Sequence, residues 1–193
     1  FPWACVIEEG IPGVGRARET GRLAATGNIL AFLDADTVPS VQWIENGLRY
    51  FRDPSIVAVT GSYEFYDSGP VLQMGARVVS ACVYPAALWF TQDVRKSGIM
   101  IGGNCFIRAS ALEAVGGFNT AIEFWGDDTD TAIRLARVGR IAYGRDVFAR
   151  TSARRYYRDG IIRTLLNYVY HAARISARSF HEQKHTVNSK ARL

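Results

Sequence analysis

The sequence is poor in cysteine. Its three, Cys5, Cys82 and Cys105, are an odd number without metal-type spacing. That argues against a disulfide framework or a zinc site and reads as reduced thiols in a cytosolic protein. There is no internal repeat and no low-complexity tract, and no uninterrupted apolar run is long enough to cross a bilayer. A secretory n-region and cleavage pattern are also missing. The first residue is Phe1 rather than Met, so a fragment lacking its start is expected.

What is present is ordinary globular material. The chain has 193 residues, 48% hydrophobic and 21% charged, enough for one domain with a core and too apolar for wholesale disorder. Its net charge is +5, which suits anionic partners such as phosphates or an acidic membrane face. The basic excess gathers after Arg134, in residues such as Arg137, Arg145, Arg154, Arg155, Arg163 and Arg174. These arginines lack interleaved aromatics on a recognisable platform, which argues against nucleic acid as a partner.

Periodicity along the chain predicts alternating helices and strands. Arg16 to Ala25 reads as a short helix. Ile29 to Leu33 is a continuous apolar run of the kind found in strands buried on both faces. Ser40 is a good N-cap for a helix over Val41 to Phe51, and Ile56 to Thr60 is the next strand. Val71 to Phe90 looks mostly helical, kinked or split at Pro85. A strand at Asn104 to Ile107, a short helix capped by Ser110, an amphipathic helix over Asp127 to Val138 and a strand at Ile141 to Tyr143 follow. The expected fold class is α/β, with a mostly parallel central sheet flanked by helices and a C-terminal helical tail. The expected division is one domain over residues 1–158 and an amphipathic helix with a polar tail over residues 159–193.

Two acidic constellations carry possible chemistry. Asp34 and Asp36 lie just past the end of the apolar strand, where open α/β sheets bind ligands. Side chains two apart on an extended segment point the same way. Two such carboxylates repel unless neutralised, and Mg²⁺ or Mn²⁺ takes carboxylates together with substrate phosphates. A plain turn before Pro39 explains the same residues about as well. The second group is Asp127, Asp128 and Asp130, after Phe124-Trp125-Gly126. Acids in a first turn complement the helix dipole. Three exceed what one cap needs, and their repulsion raises pKa values toward those of a general base, with Asp127 or Asp128 taking a proton from a hydroxyl. Gly102-Gly103-Asn104 allows close backbone approach to a ligand, although taken alone a plain turn before a strand accounts for it better.

In combination these residues resemble family 2 glycosyltransferases of the GT-A fold. The resemblance runs through Gly15-Arg16-Ala17-Arg18, then Ala25 to Thr37 with Asp34-Ala35-Asp36, then Gly102 to Arg108, Val115-Gly116-Gly117-Phe118, and Gly126-Asp127-Asp128-Thr129-Asp130 on to Gly139. It implies a nucleotide-diphosphate-sugar donor, a divalent cation (Mg or Mn) on Asp34 and Asp36, and inverting transfer to an acceptor hydroxyl. It implies further that Asp128, paired with Asp127, is the catalytic base, that Arg18 lies near the nucleotide, and that Gly103 and Asn104 wall the sugar and acceptor. Asp127-Asp128 stands where the family has Glu-Asp. No Gln-x-x-Arg-Trp follows; Ser152-Ala153-Arg154-Arg155-Tyr156 stands there instead. That favours a single-transfer enzyme over a processive synthase, and Arg154 and Arg155 suit a diphosphate. The family's opening strand and helix are absent, and Phe1 to Ile7 looks like their tail.

The tail carries Ile161, Ile162, Leu165, Leu166, Tyr168, Val169, Ala172 and Ile175 along a helical stripe between arginines. This fits a helix docked on the domain, and also a basic helix on an anionic membrane. Residues after Phe180 read as frayed, and His171, His181 and His185 as surface residues. The expected protein is a cytoplasmic enzyme of cell-envelope polysaccharide synthesis, peripheral at the inner membrane face, with a glycan or lipid-linked acceptor. The alternatives are a sugar nucleotidyltransferase and a non-catalytic sugar-nucleotide or acidic-lipid binding module.

Overall fold

The computed structural model describes residues 4–95, 97–122 and 125–190, with side chains to Ile175. Phe1, Phe124 and Arg192, and the side chains of Arg178, His181, Lys184, His185 and Lys190, lie outside the described residues.

The chain forms helix α1 (Val14–Ala24), strand β1 (Ile29–Leu33), the two-residue β2 (Val38–Pro39), α2 (Trp43–Tyr50) and the long β3 (Ile56–Phe65). A helical stretch follows: α3 (Pro70–Val78), a π turn (Val79–Val83), α4 (Tyr84–Trp89) and a second π turn (Phe90–Val94). Next come β4 (Asn104–Arg108), α5 (Ala109–Ala114), α6 (Asp127–Leu135), β5 (Arg140–Thr151), α7 (Arg154–Asp159) and α8 (Ile161–Lys190).

The described strands form one sheet in the order β1-β4-β3-β5-β2. The α/β class holds, but the sheet is mixed rather than mostly parallel. Only β3 and β5 run parallel; β4 is antiparallel to both β1 and β3, and β2 is antiparallel to β5. The parallel expectation rests on the apolar run and on strands alternating with helices, but both are compatible with an antiparallel strand inserted between neighbours, as β4 is here. Likewise, β1 is an edge of the described sheet, and only Leu30 within it is buried.

Alternation along the strands splits the core into two layers. Ala58, Cys105 and Ile107 share one cluster with Leu30 and Ile141 of the sheet and with Leu112 and Leu135 of the helices. Val59 and Phe106 face Trp43 and Val147. Helix α2 starts at Trp43, two residues later than expected, and the Ser40 side chain does not cap it; the Ser40 carbonyl instead accepts the Trp43 amide at 3.0 Å. Helix α5 also lacks a side-chain cap.

The expected break at Pro85 takes the form of the π turn just before it. Proline has no N–H to offer the carbonyl four residues back. The Ala81 carbonyl, four residues before Pro85, accepts from the Arg145 guanidinium. By length and composition Pro70–Val94 is apolar enough to cross a membrane. In the fold it rests on the core through Leu88 and Tyr84, with Val71, Met74, Val83 and Trp89 exposed. The backbone of α8 stays helical to Lys190, beyond the fraying expected after Phe180.

Candidate active site

The site forms where β1 and β4 end side by side. Leu33 pairs with Asn104, and the next amide, that of Asp34, donates to the Gly103 carbonyl at 3.1 Å. The chain then turns at once, with the Thr37 amide donating to the Asp34 carbonyl at 3.0 Å. Asp34 and Asp36 therefore sit in a turn rather than on an extended segment, and their side chains take different partners. Asp34 Oδ1 lies 3.1 Å from Arg18 Nη2, whereas Asp36 Oδ2 lies 2.9 Å from Arg154 Nη2.

Arg18 joins the two acidic constellations. It projects from α1, and its Nη1 donates to Asp127 Oδ2 while Nη2 holds Asp34. Burial alone would lower the Arg18 pKa, but the charges of Asp127, Asp34 and Asp128 outweigh it and hold it raised. Asp127 is 5% exposed, and burial pushes its carboxyl upward against the pull of Arg18. Asp128 is pushed up to about 6, first by burial and then by the charge of Asp127. Its Oδ1 accepts the Thr129 amide at 2.7 Å. A half-buried carboxyl titrating near 6 can take a proton at neutral pH and return it.

Gly102 and Gly103 are the floor between these acids. A Cβ at Gly102 would run into Arg18 and Asp128, and one at Gly103 would overlap Asp34 Oδ2 and crowd the Tyr63 hydroxyl. Only glycine leaves room for all four side chains. Asn104 departs from the expectation that it walls the ligand. It is fully buried, accepts from Trp43 Nε1 at 2.8 Å and donates to the carbonyls of Ser62 and Val147 at 2.9 and 3.0 Å. Neighbours entering a strand point to opposite faces. Gly103 faces the acids, so Asn104 faces the Trp43 layer and braces β3, β4 and β5 from inside.

The two arginines of the β5–α7 corner also part. Arg154 reaches Asp36, from a corner held by Asp67, which accepts the Ala153 amide at 2.6 Å. Arg155 turns away, donating to the Tyr168 hydroxyl at 2.8 Å and lying 5.3 Å from the Trp125 ring centroid. His171, expected at the surface, stacks on Trp125 with centroids 5.4 Å apart. Trp125, Tyr168 and His171 each stand out in the sequence, but not as one group, and Tyr63 does not stand out at all. Tyr63 gave no local signal; the helical spacing of Tyr168 and His171 was readable, but not what they face.

Asp34 and Asp36 fit a hard cation only in one manner. Among the described residues no three His, Cys, Asp or Glu side chains converge to form a cage. Two partly exposed carboxylates, with phosphates and water completing the shell, are the oxygen-rich set that Mg²⁺ or Mn²⁺ accepts.

Comparison with known proteins agrees with this architecture. Residues 3–116 match the description Glycosyl transferase family 2. The Pre-mycofactocin glycosyltransferase of Mycobacterium tuberculosis is 31% identical over 165 residues, covering 78% of this chain and 32% of that protein. Glycosyltransferase AglE of Haloferax volcanii is 29% identical over 133 residues, covering 63% and 38%. The chain thus spans about a third of the length of these relatives. Among solved structures, the mannosyltransferase PcManGT of Pyrobaculum calidifontis, in complex with GDP-Man and Mn²⁺, superposes with a TM-score of 0.64 at 22% identity, over 91% of this chain and 46% of that one. That likeness supports the GT-A-type fold. With more than half of the sequence inside the family match, the chain belongs to glycosyl transferase family 2.

Proposed function

We propose that this chain carries the catalytic centre of a metal-dependent, inverting glycosyltransferase that moves one sugar from a nucleotide-diphosphate donor to an acceptor hydroxyl. The observation that carries the reading is Arg18, which ties the donor-side Asp34 to the buried Asp127 across the Gly102-Gly103 floor. A donor diphosphate would lie on the Asp34–Asp36 side and an acceptor on the Asp128 side.

Asp128 takes the proton of the acceptor hydroxyl. The freed oxygen attacks the anomeric carbon from the face opposite the diphosphate, the new carbon–oxygen bond forms, and the nucleotide diphosphate leaves with the electron pair of the broken bond. One such displacement inverts the anomeric configuration. Arg154 stands beside Asp36, exposed enough to reach a phosphate. Asp34 and Asp36 would hold the cation, which when bound offsets charge on the leaving diphosphate. Arg18, with its charge already balanced by Asp34 and Asp127, keeps the two halves in register.

The acceptor class is a glycan or lipid-linked sugar at the cytoplasmic membrane face. Peripheral contact is supported by exposed Ile162, Leu166, Val169 and Tyr170 on α8 among Arg158, Arg163 and Arg174. The three free cysteines suit reducing surroundings.

The first donor to test is GDP-mannose with Mn²⁺, the pair bound by the structural relative, followed by other sugar nucleotides. Nucleotide diphosphate release that depends on added Mn²⁺ or Mg²⁺, and falls at least 100-fold in Asp36→Asn, is expected. Release of pyrophosphate from a nucleoside triphosphate and a sugar 1-phosphate would instead mark a nucleotidyltransferase, and full turnover of the sugar nucleotide in EDTA would remove the metal from the mechanism.

A further inference from the structure

The mechanism above leaves α8 without a part, although it packs against the residues that lead into the acid pair. One stripe of the helix meets the domain: Thr164, Tyr168, His171 and Ile175 recur at helical spacing, with His171 and Ile175 half-buried and Tyr168 at the exposed rim. Thr164 is buried. The rings of Tyr168 and His171 meet Trp125, edge-on at 5.0 Å and stacked at 5.4 Å with an interplanar angle of 13°. Arg155 lies 5.3 Å from the same ring and donates to the Tyr168 hydroxyl, so α7 and α8 hold Trp125 together.

The next residue is Gly126, in the left-handed region at φ 93°. A Cβ there would lie 2.8 Å from Ile175 Cγ1, so α8 presses on bare backbone. Asp127 follows immediately and opens α6, whose first turn is closed by the Asp130 amide donating to the Gly126 carbonyl at 2.9 Å. A shift of Trp125 or Gly126 therefore carries the first turn of α6, and both carboxylates, with it.

We propose that α8 is a positioning element for the acid pair: through His171, Tyr168 and Ile175 it clamps Trp125-Gly126 and thereby sets where Asp127 and Asp128 stand relative to Asp34. His171 and Ile175 act through the backbone ahead of the carboxylates and are positioning rather than catalytic residues. The proposal rests on the reading of Asp127 and Asp128 as the acid pair. Its physical basis is that displacement of a reacting group by about 1 Å, caused far from the chemistry, can cost about 100-fold in rate.

The test uses the full chain carrying His171→Ala, His171→Phe, Ile175→Ala or Trp125→Ala. Two readouts apply: steady-state kinetics with GDP-mannose and Mn²⁺, or with whichever sugar nucleotide the wild type turns over, and backbone hydrogen exchange. His171→Ala and Ile175→Ala are expected to lower kcat about 10-fold with donor KM unchanged. Trp125→Ala should lower it about 100-fold, and His171→Phe, which keeps a flat ring on Trp125, should restore most of the loss. Exchange should quicken at residues 125–131 and nowhere else outside α8. Unchanged exchange at 125–131 in His171→Ala, a rise spread over the whole domain, or equal change in kcat and KM would each overturn the proposal. If the wild type transfers no sugar from any donor, the functional reading fails, while the exchange experiment still decides whether α8 holds the acid pair.

Discussion

Four aspartates line the candidate site, and the fold treats them in two ways. Asp34 and Asp36 sit in an open turn, with side chains 50% and 31% exposed, each facing one arginine. Asp127 and Asp128 open a helix pressed between α8 and the glycine floor, where burial raises both carboxyls. An exposed carboxylate can exchange an arginine for a cation or lose it to a phosphate. A buried one has its proton affinity set by its surroundings. The same residue type is thus prepared for holding charge on one side and for moving a proton on the other.

The sharpest break of this contrast is Asp128→Asn. The amide fills the same space but takes no proton, so kcat should fall about 100- to 10,000-fold while donor affinity holds. Equal loss of donor affinity, measured by nucleotide titration, would make Asp128 a structural cap. The pH profile carries the same idea. A base must be unprotonated, so kcat/KM should climb with pH to a plateau above about 6. Stability moves the other way. Between the ordinary value of 3.8 and about 6 the folded protein holds a proton that the unfolded chain has released, so folding weakens as pH rises through that window. Asp128→Asn should therefore gain stability over wild type from pH 4 to 6, read as a difference in Tm.

Gly103→Ala tests the exposed side. The added methyl would overlap Asp34 Oδ2 and crowd the Tyr63 hydroxyl, both tips of movable side chains. Asp34 should swing away from Arg18 rather than the strand give way. The expected result is about a 10-fold loss of Mn²⁺-dependent nucleotide affinity with Tm nearly unchanged; a 10-fold change in affinity corresponds to about 1.4 kcal/mol. A large drop in Tm with affinity retained would show that the floor matters for packing instead.

Much of this contrast was legible in the sequence. Helix α1, the strands β1, β3 and β4 and the amphipathic α6 followed from hydrophobic period, and both acidic groups stood out by residue type. What the sequence hid was mutual orientation. Strand direction left no trace in the apolar runs. Arg18 and Asp127 are 109 positions apart, and nothing local says that one guanidinium spans both acid groups. The family resemblance puts Asn104 beside Gly103 on the ligand wall, but adjacent strand residues point to opposite faces, and Asn104 takes the inner one. His171 shows the same limit, since helical spacing identifies a face but not the Trp125 ring packed against it.

The smallest effect should come from Arg154→Ala, and it decides what the exposed pair is for. Arg154 is 74% exposed and Asp36 31% exposed, at 2.9 Å. Such pairs contribute only about 0–1 kcal/mol to folding, because water screens the attraction and ordering two side chains opposes it. Tm should therefore stay within about a degree or two of wild type. If the arginine instead serves a diphosphate, its loss should appear as a several-fold rise in donor KM that shrinks as ionic strength rises, since added salt already weakens the wild-type contact. Asp36, relieved of its partner, should meanwhile bind Mn²⁺ more tightly in the absence of nucleotide. A fall in Tm with unchanged KM would make the pair a surface brace, and the difference between the two acidic sides would then rest on Asp34 alone.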